Sequence, residues 1–182
     1  NTAAAILAAS LFAYSKNENA ILLISPSDHV IPDTDEFHKA IKVGLSHVQN
    51  QKIVTFGIQP THPETGYGYL ELLKDPLDND GTSDLKNFVE KPKLQHARQM
   101  LKDDHYLWNA GIFLFRAQDM VDAFSAHEPG TLDLVSQALS DASTDLGFLR
   151  LAADPWSKLN DISIDYAIME KAHNLVAVPY RY

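Results

Sequence analysis

Three short stretches hold the side chains best suited to chemistry. Phe88-Val89-Glu90-Lys91-Pro92 sets a carboxylate beside an ammonium. A carboxylate can accept hydrogen bonds from two neighbouring sugar hydroxyls, and the ammonium can meet a phosphate as a point charge. Pro63-Glu64-Thr65-Gly66-Tyr67-Gly68-Tyr69 alternates glycine with tyrosine. Gly66 and Gly68 let the backbone approach a ligand closely, so that main-chain N–H groups can face hydroxyls. Ser25-Pro26-Ser27-Asp28-His29 offers the carboxylate of Asp28 to a cation. Mg²⁺ in a phosphoryl-transfer site is held by one or two carboxylates together with substrate phosphates and water. Each stretch also has a plain structural reading: an exposed Glu-Lys pair before a proline, a tight turn flanked by packing tyrosines, and an aspartate capping a turn.

Three further places carry polar groups that need an account. Asn109 stands near the start of the apolar run 107–116, so its amide requires partners, either a neighbouring loop or a ligand. Asp165 falls in the first turn of a helix expected from Ser163, where an acid is favourable against the helix dipole with or without a function. Asn1-Thr2-Ala3 opens another expected helix, capped by Thr2, whose free N–H groups could meet a phosphate or a base.

The elements that must position these groups alternate between helix and strand. Ala20–Ile24 is short, aliphatic and without polar alternation, as in a strand of a parallel sheet buried on both faces. Ligands of open α/β sheets bind beyond the carboxyl ends of such strands, which is where Asp28 falls. Asp33, three residues before Glu36, opens a helix with Phe37, Ile41, Leu45 and Val48 on one side. Strands are expected over 52–58, 69–73, 85–90, 107–116 and 174–178, and a helix over 95–102. Asp75–Asp84 reads as an exposed excursion. From Asp119 the pattern is helical, broken at Glu128-Pro129. The expectation is one domain over 1–182: a three-layer α/β fold with right-handed crossovers and a mostly parallel sheet.

Composition narrows the function. The chain has 182 residues, 45% of them hydrophobic and 21% charged, which suits a globular domain with a real core. A formal charge of −9 argues against general nucleic-acid binding, which needs a basic face. Apolar runs are too short to span a bilayer, so no membrane partner is expected. The absence of cysteine removes disulfides and thiolate metal sites and is compatible with the cytoplasm.

Taken in order, the three stretches, together with Trp108-Asn109-Ala110-Gly111-Ile112-Phe113-Leu114-Phe115, Ser163-Ile164-Asp165-Tyr166-Ala167-Ile168-Met169-Glu170-Lys171 and the opening Asn1-Thr2-Ala3, resemble the bacterial mannose-1-phosphate guanylyltransferases. The resemblance covers nearly the whole chain. It implies a Rossmann-like nucleotidyltransferase domain of the glycosyltransferase-A type that makes GDP-mannose and pyrophosphate from mannose 1-phosphate and GTP with Mg²⁺. In that family Asp28 would be a metal ligand and, with Lys91, catalytic. Glu64, Gly66, Gly68, Glu90, Lys91, Asn109 and Asp165 would contact the sugar phosphate, and Asn1, Thr2 and Ala3 the nucleotide. Two family features have no counterpart here: a glycine-rich nucleotide loop with its arginine, and a Trp-Ser-Asp-Val-Gly stretch. The expectation is therefore the middle of a longer enzyme, incomplete at both termini and inactive alone, with homo-oligomers open. Two alternatives stand beside it. One is a nucleotidyltransferase for another sugar or base, and the other is a non-catalytic domain that binds sugar phosphate.

Overall fold

The computed structural model describes residues 1–74 and 82–180. Most of the excursion expected at Asp75–Asp84 lies outside the described residues. The chain forms two compact units: Ile21–Arg116 with Ala172–Tyr182, and Asn1–Ala20 with Ala117–Lys171.

The first unit is built on a six-stranded sheet. Its strands are β1 (Ile21–Ile24), β2 (Ile53–Ile58), β3 (Tyr69–Leu72), β4 (Ser83–Val89), β5 (Tyr106–Arg116) and, last in the chain, β8 (Leu175–Pro179). Their order is β1-β5-β2-β8-β4-β3, and β3 also pairs with β5. Helix α2 (Thr34–Val48) starts at Asp33, whose Oδ1 accepts the Glu36 N–H at 2.9 Å, as the Asp-x-x-Glu spacing predicts. Its Phe37, Ala40 and Val48 pack on Val54, Phe56, Ala110, Ile112, Leu114 and Val178. Side chains alternate along a strand, so this places Thr55 and Asn109 on the opposite sheet face from α2. Helix α3 (Leu94–Met100) seats Ala97 and Met100 against Tyr69 and Trp108.

The fold is α/β as expected, but the sheet is not mostly parallel. Among the described residues only β2 with β8 runs parallel; the other pairings are antiparallel. The reason is β5, which lies between β1 and β2 and runs against both. An aliphatic run reports burial but carries no direction, so the sequence could not reveal this. Nor is β1 buried on both faces: among the described residues it pairs only with β5, and Ile21 and Leu23 are exposed. Apolar composition alone does not make a strand central.

The second unit is mainly helical: α1 (Thr2–Lys16), α4 (Ala117–His127), α5 (Pro129–Ser140) and α6 (Ala153–Ser157), with the hairpin β6 (Ser143–Asp145) and β7 (Phe148–Arg150). The break at Glu128-Pro129 stands as predicted, with Pro129 opening α5. The cap of α1 is Asn1 rather than Thr2, since Asn1 Oδ1 accepts the Thr2 N–H at 2.8 Å. The helix expected from Ser163 is a single π-helical turn, Asp165–Met169, closed by the Glu170 N–H on the Asp165 carbonyl at 2.9 Å. The hairpin and α6 were not expected, because strands of three residues are too short to show a period. Among the described residues no helix is long and apolar enough to cross a membrane.

Candidate functional site

The end of β4, the glycine loop and the start of β5 meet in the sheet unit. Glu90 has a side chain only 8% exposed, while that of Lys91 is 57% exposed with Nζ 3.4 Å from Glu90 Oε1. Lys91 adopts φ 46°, an uncommon left-handed conformation for a residue with a Cβ. In that conformation its N–H donates to the Tyr67 carbonyl at 3.2 Å, tying β4 to the loop. Gly68 is required by closeness rather than by φ. A Cβ there would lie 2.6 Å from Glu90 Oε2 and 3.2 Å from the Phe88 ring. The Gly68 carbonyl accepts the Asn109 N–H at 2.8 Å. Gly68, Glu90, Lys91 and Asn109 are thereby brought together by backbone hydrogen bonds and close packing.

Glu64 builds the loop from within. Its Oε1 accepts the N–H groups of Thr65 at 2.7 Å and Gly66 at 2.8 Å. Those two bonds, that of Gly66 foremost, hold its carboxyl below the usual carboxylate range, and His62 adds to the effect. His62 Nε2 lies 3.4 Å from Glu64 Oε2. Tyr69 Oη closes the turn by donating to the Glu64 carbonyl at 2.8 Å. The Thr65 and Gly66 N–H groups are thus engaged by Glu64, and the loop has a set shape without a ligand.

Asn109 is fixed from two sides. Its Oδ1 accepts the Thr55 hydroxyl at 3.0 Å and the Gly111 N–H at 3.0 Å. Thr55 escaped the sequence reading, although a lone hydroxyl in the run Ile53-Val54-Thr55-Phe56-Gly57-Ile58 was the available signal. Trp108 and His62 escaped it as well. The Trp108 ring is met edge-on by His62 at 4.9 Å and by Tyr67 at 5.4 Å, walling the loop with aromatic surface.

Asp28 takes no part in the hydrogen bonds and ring contacts given above. It is exposed, in the loop after β1, and helps line a cleft of about 310 Å³ with Val30, Ile31, Ile58, Ile112 and Tyr180. None of Glu64, Gly66, Gly68, Glu90, Lys91 or Asn109 lines that cleft, though Ala110, next to Asn109, does. Among the described residues no group of three or more His, Cys, Asp or Glu could hold a metal. One exposed carboxylate fits a Mg²⁺ that takes the rest of its shell from phosphate oxygens and water; it does not fit an all-protein cage.

The remaining candidates lie in the helical unit and adjoin one another. The Thr2 hydroxyl accepts the Ile164 N–H at 2.9 Å, and the Ala3 N–H donates to the Ile162 carbonyl at 3.3 Å. Asn1, Thr2 and Ala3 are thus held against the segment that leads into Asp165. Ala3 is fully buried and its N–H is already engaged by the Ile162 carbonyl, so it backs Asn1 and Thr2 rather than presenting a surface of its own. Asp165 opens the π-helical turn, a distortion that recurs at functional sites.

The profile of the nucleotidyl transferase family matches residues 1–162, and so runs through both units. A mannose-1-phosphate guanylyltransferase of Sinorhizobium fredii is 41% identical over 98% of this chain and 35% of its own length. The chain therefore spans about a third of that relative. A solved structure described as mannose-6-phosphate isomerase from Helicobacter pylori superposes with TM-score 0.88 at 30% identity, covering 100% of this chain and 68% of the other. One described as mannose-1-phosphate geranyltransferase from Thermus thermophilus gives TM-score 0.82 at 31% identity, covering 100% of this chain and 50% of the other. With its family profile matched over most of its length, the chain belongs to the nucleotidyl transferase family.

Proposed function

We propose that this chain supplies the sugar-phosphate side of a mannose-1-phosphate guanylyltransferase. The observation that carries the reading is the convergence of Glu90, Lys91, Gly68 and Asn109 at one corner of the sheet unit. Glu90 accepts from neighbouring sugar hydroxyls, and Lys91, exposed beside it, meets the phosphate. Asn109 contacts the sugar, and Glu64 and Gly66 act through the turn they build. In the reaction an oxygen of mannose 1-phosphate attacks the α-phosphorus of GTP. The new P–O bond forms as the bond to pyrophosphate breaks, and no covalent enzyme intermediate is needed. The protein's part is alignment of two anions and preorganised positive charge.

Asp28 is the residue we assign to Mg²⁺, which when bound would offset phosphate charge. Asn1, Thr2 and Ala3 are assigned to the nucleotide and Asp165 to substrate, with GTP as the nucleotide and the cytoplasm as the setting. The test uses the protein that carries this chain. GTP and mannose 1-phosphate together should release pyrophosphate and form GDP-mannose, and Lys91→Ala should depress this sharply. Pyrophosphate release that ignores mannose 1-phosphate, or favours another sugar phosphate, would overturn the reading.

A second reading comes from the Helicobacter pylori structure, whose description names an isomerase of mannose 6-phosphate. Conversion of mannose 6-phosphate without any nucleotide would favour it.

A further inference from the structure

Thr55 lies on β2 with no solvent exposure, between the apolar Val54 and Phe56, and its hydroxyl is spent on Asn109 Oδ1. A buried hydroxyl is costly unless bonded, so a threonine in place of valine needs a reason. The same Oδ1 accepts the N–H of Gly111. A hydroxyl can donate or accept, but a backbone N–H can only donate. Turning the Asn109 amide over would set its NH₂ against the Gly111 N–H, donor against donor. The Gly111 N–H therefore fixes which end of the amide points inward, and the Thr55 hydroxyl holds that end with a second bond.

The backbone serves the same arrangement. Thr55 is opposite Phe113 and Gly57 opposite Asn109, so β5 carries extra residues in a bulge between those pairs. Gly111 sits in that bulge at φ +69°, where a side chain is strained, and its N–H comes within 3.0 Å of Asn109 Oδ1. Bulges of this kind re-aim side chains beside functional sites.

We propose that Thr55 is a positioning residue: with Gly111 it locks the Asn109 amide so that Asn109 addresses a ligand only as an N–H donor. This rests on the reading above, in which Asn109 contacts the sugar phosphate. Its consequence is a rule of recognition. The group Asn109 meets must be an oxygen acceptor, a hydroxyl lone pair or a phosphate oxygen, and never a cationic amine.

The test separates the hydroxyl from the packing. Thr55→Val keeps the shape and removes the hydroxyl; Thr55→Ser keeps the hydroxyl and leaves a small void. If Thr55 only fills space, Ser should be the more harmful change for ligand affinity. The lock predicts the reverse: affinity for mannose 1-phosphate by calorimetry falls about five- to tenfold in Thr55→Val, the loss of one hydrogen bond's worth of ordering, and stays within about twofold in Thr55→Ser. Equal losses, or wild-type affinity in Thr55→Val, would overturn the proposal. A ¹⁵N spectrum of the unliganded protein adds an arm that needs no ligand. The Asn109 side-chain amide should give one sharp pair, kept in Thr55→Ser and shifted or broadened in Thr55→Val. An unchanged pair in Thr55→Val means there is no lock. A lock present without any mannose 1-phosphate binding would instead count against the function proposed above.

Discussion

The sheet unit holds two candidate regions that differ in how far they are built before any ligand arrives. In the Gly68–Glu90–Lys91–Asn109 cluster nearly every group is tied: Glu90 is buried, Gly68 sits where no Cβ fits, and Asn109 is held by Thr55 and Gly111. Asp28, by contrast, is an exposed carboxylate among the mainly apolar residues that line a cleft. Preorganisation of the first region lowers the cost of binding. The second depends on what a ligand brings. Substitutions in the cluster should therefore disturb both stability and recognition, whereas substitutions at Asp28 should disturb function alone.

The largest expected effect comes from filling the space at Gly68. In Gly68→Ala the new Cβ must displace Glu90 and the Phe88 ring. Overpacking of this kind costs about 1–3 kcal/mol. For a chain of this size that lowers the melting temperature by several degrees, on the order of 2–4 °C per kcal/mol. Mannose 1-phosphate binding should fall by more than about tenfold as Glu90 moves. A variant with wild-type melting and affinity would show that the Glu90 carboxylate and the Phe88 ring do not pack closely on Gly68.

Lys91→Ala should come next. Its ammonium is largely solvent-exposed, so screening limits its worth, and a loss of about three- to tenfold is expected for mannose 1-phosphate. Mannose itself should bind equally well to both forms. Equal losses for the two ligands would mean that Lys91 does not face the phosphate.

Asp28→Asn should leave the stability within about half a kcal/mol of wild type, as for exposed positions in general. Its effect should appear only in the dependence of turnover on Mg²⁺ in the protein that carries this chain. Full activity at low Mg²⁺ would move the metal elsewhere.

The smallest effect concerns pH. Folding lowers the Glu64 pKa, so the stability this turn contributes is fully present above the unfolded value of 4.5. It is lost as the pH falls through the lower folded value. The Gly66 amide resonance should keep its native shift at pH values around the ordinary glutamate range and lose it only as Glu64 protonates, ahead of global unfolding. A shift that follows the ordinary glutamate titration would contradict the Gly66 and Thr65 hydrogen bonds to Glu64.

The same comparison shows what a sequence can and cannot reveal. The Asp33 cap and the break at Pro129 were legible because they depend on a few local residues. The direction of β5 and the exposure of β1 depend on neighbours far along the chain, and the aliphatic run Ile21-Leu22-Leu23-Ile24 carries no sign of either. At the site, Asn109 stood out as an amide in an apolar strand and Gly68 as one of two alternating glycines in a loop. Glu90 and Lys91, a common kind of exposed pair before a proline, stood out through the family resemblance. Thr55 did not stand out, since threonine is common in strands and its partner lies 54 positions away. The role of Glu64 was visible only as a carboxylate near glycines. That it folds back on Thr65 and Gly66 is a fact of loop geometry.

The central claim, that the Gly68–Glu90–Lys91–Asn109 cluster recognises a sugar phosphate, can be tested by titrating mannose 1-phosphate into ¹⁵N-labelled protein. The account predicts saturable shifts centred on the amides of Gly66, Gly68, Glu90, Lys91 and Asn109, abolished in the Glu90→Ala/Lys91→Ala double variant. Shifts confined to the Asp28 cleft, or an unaltered response in the double variant, would contradict it.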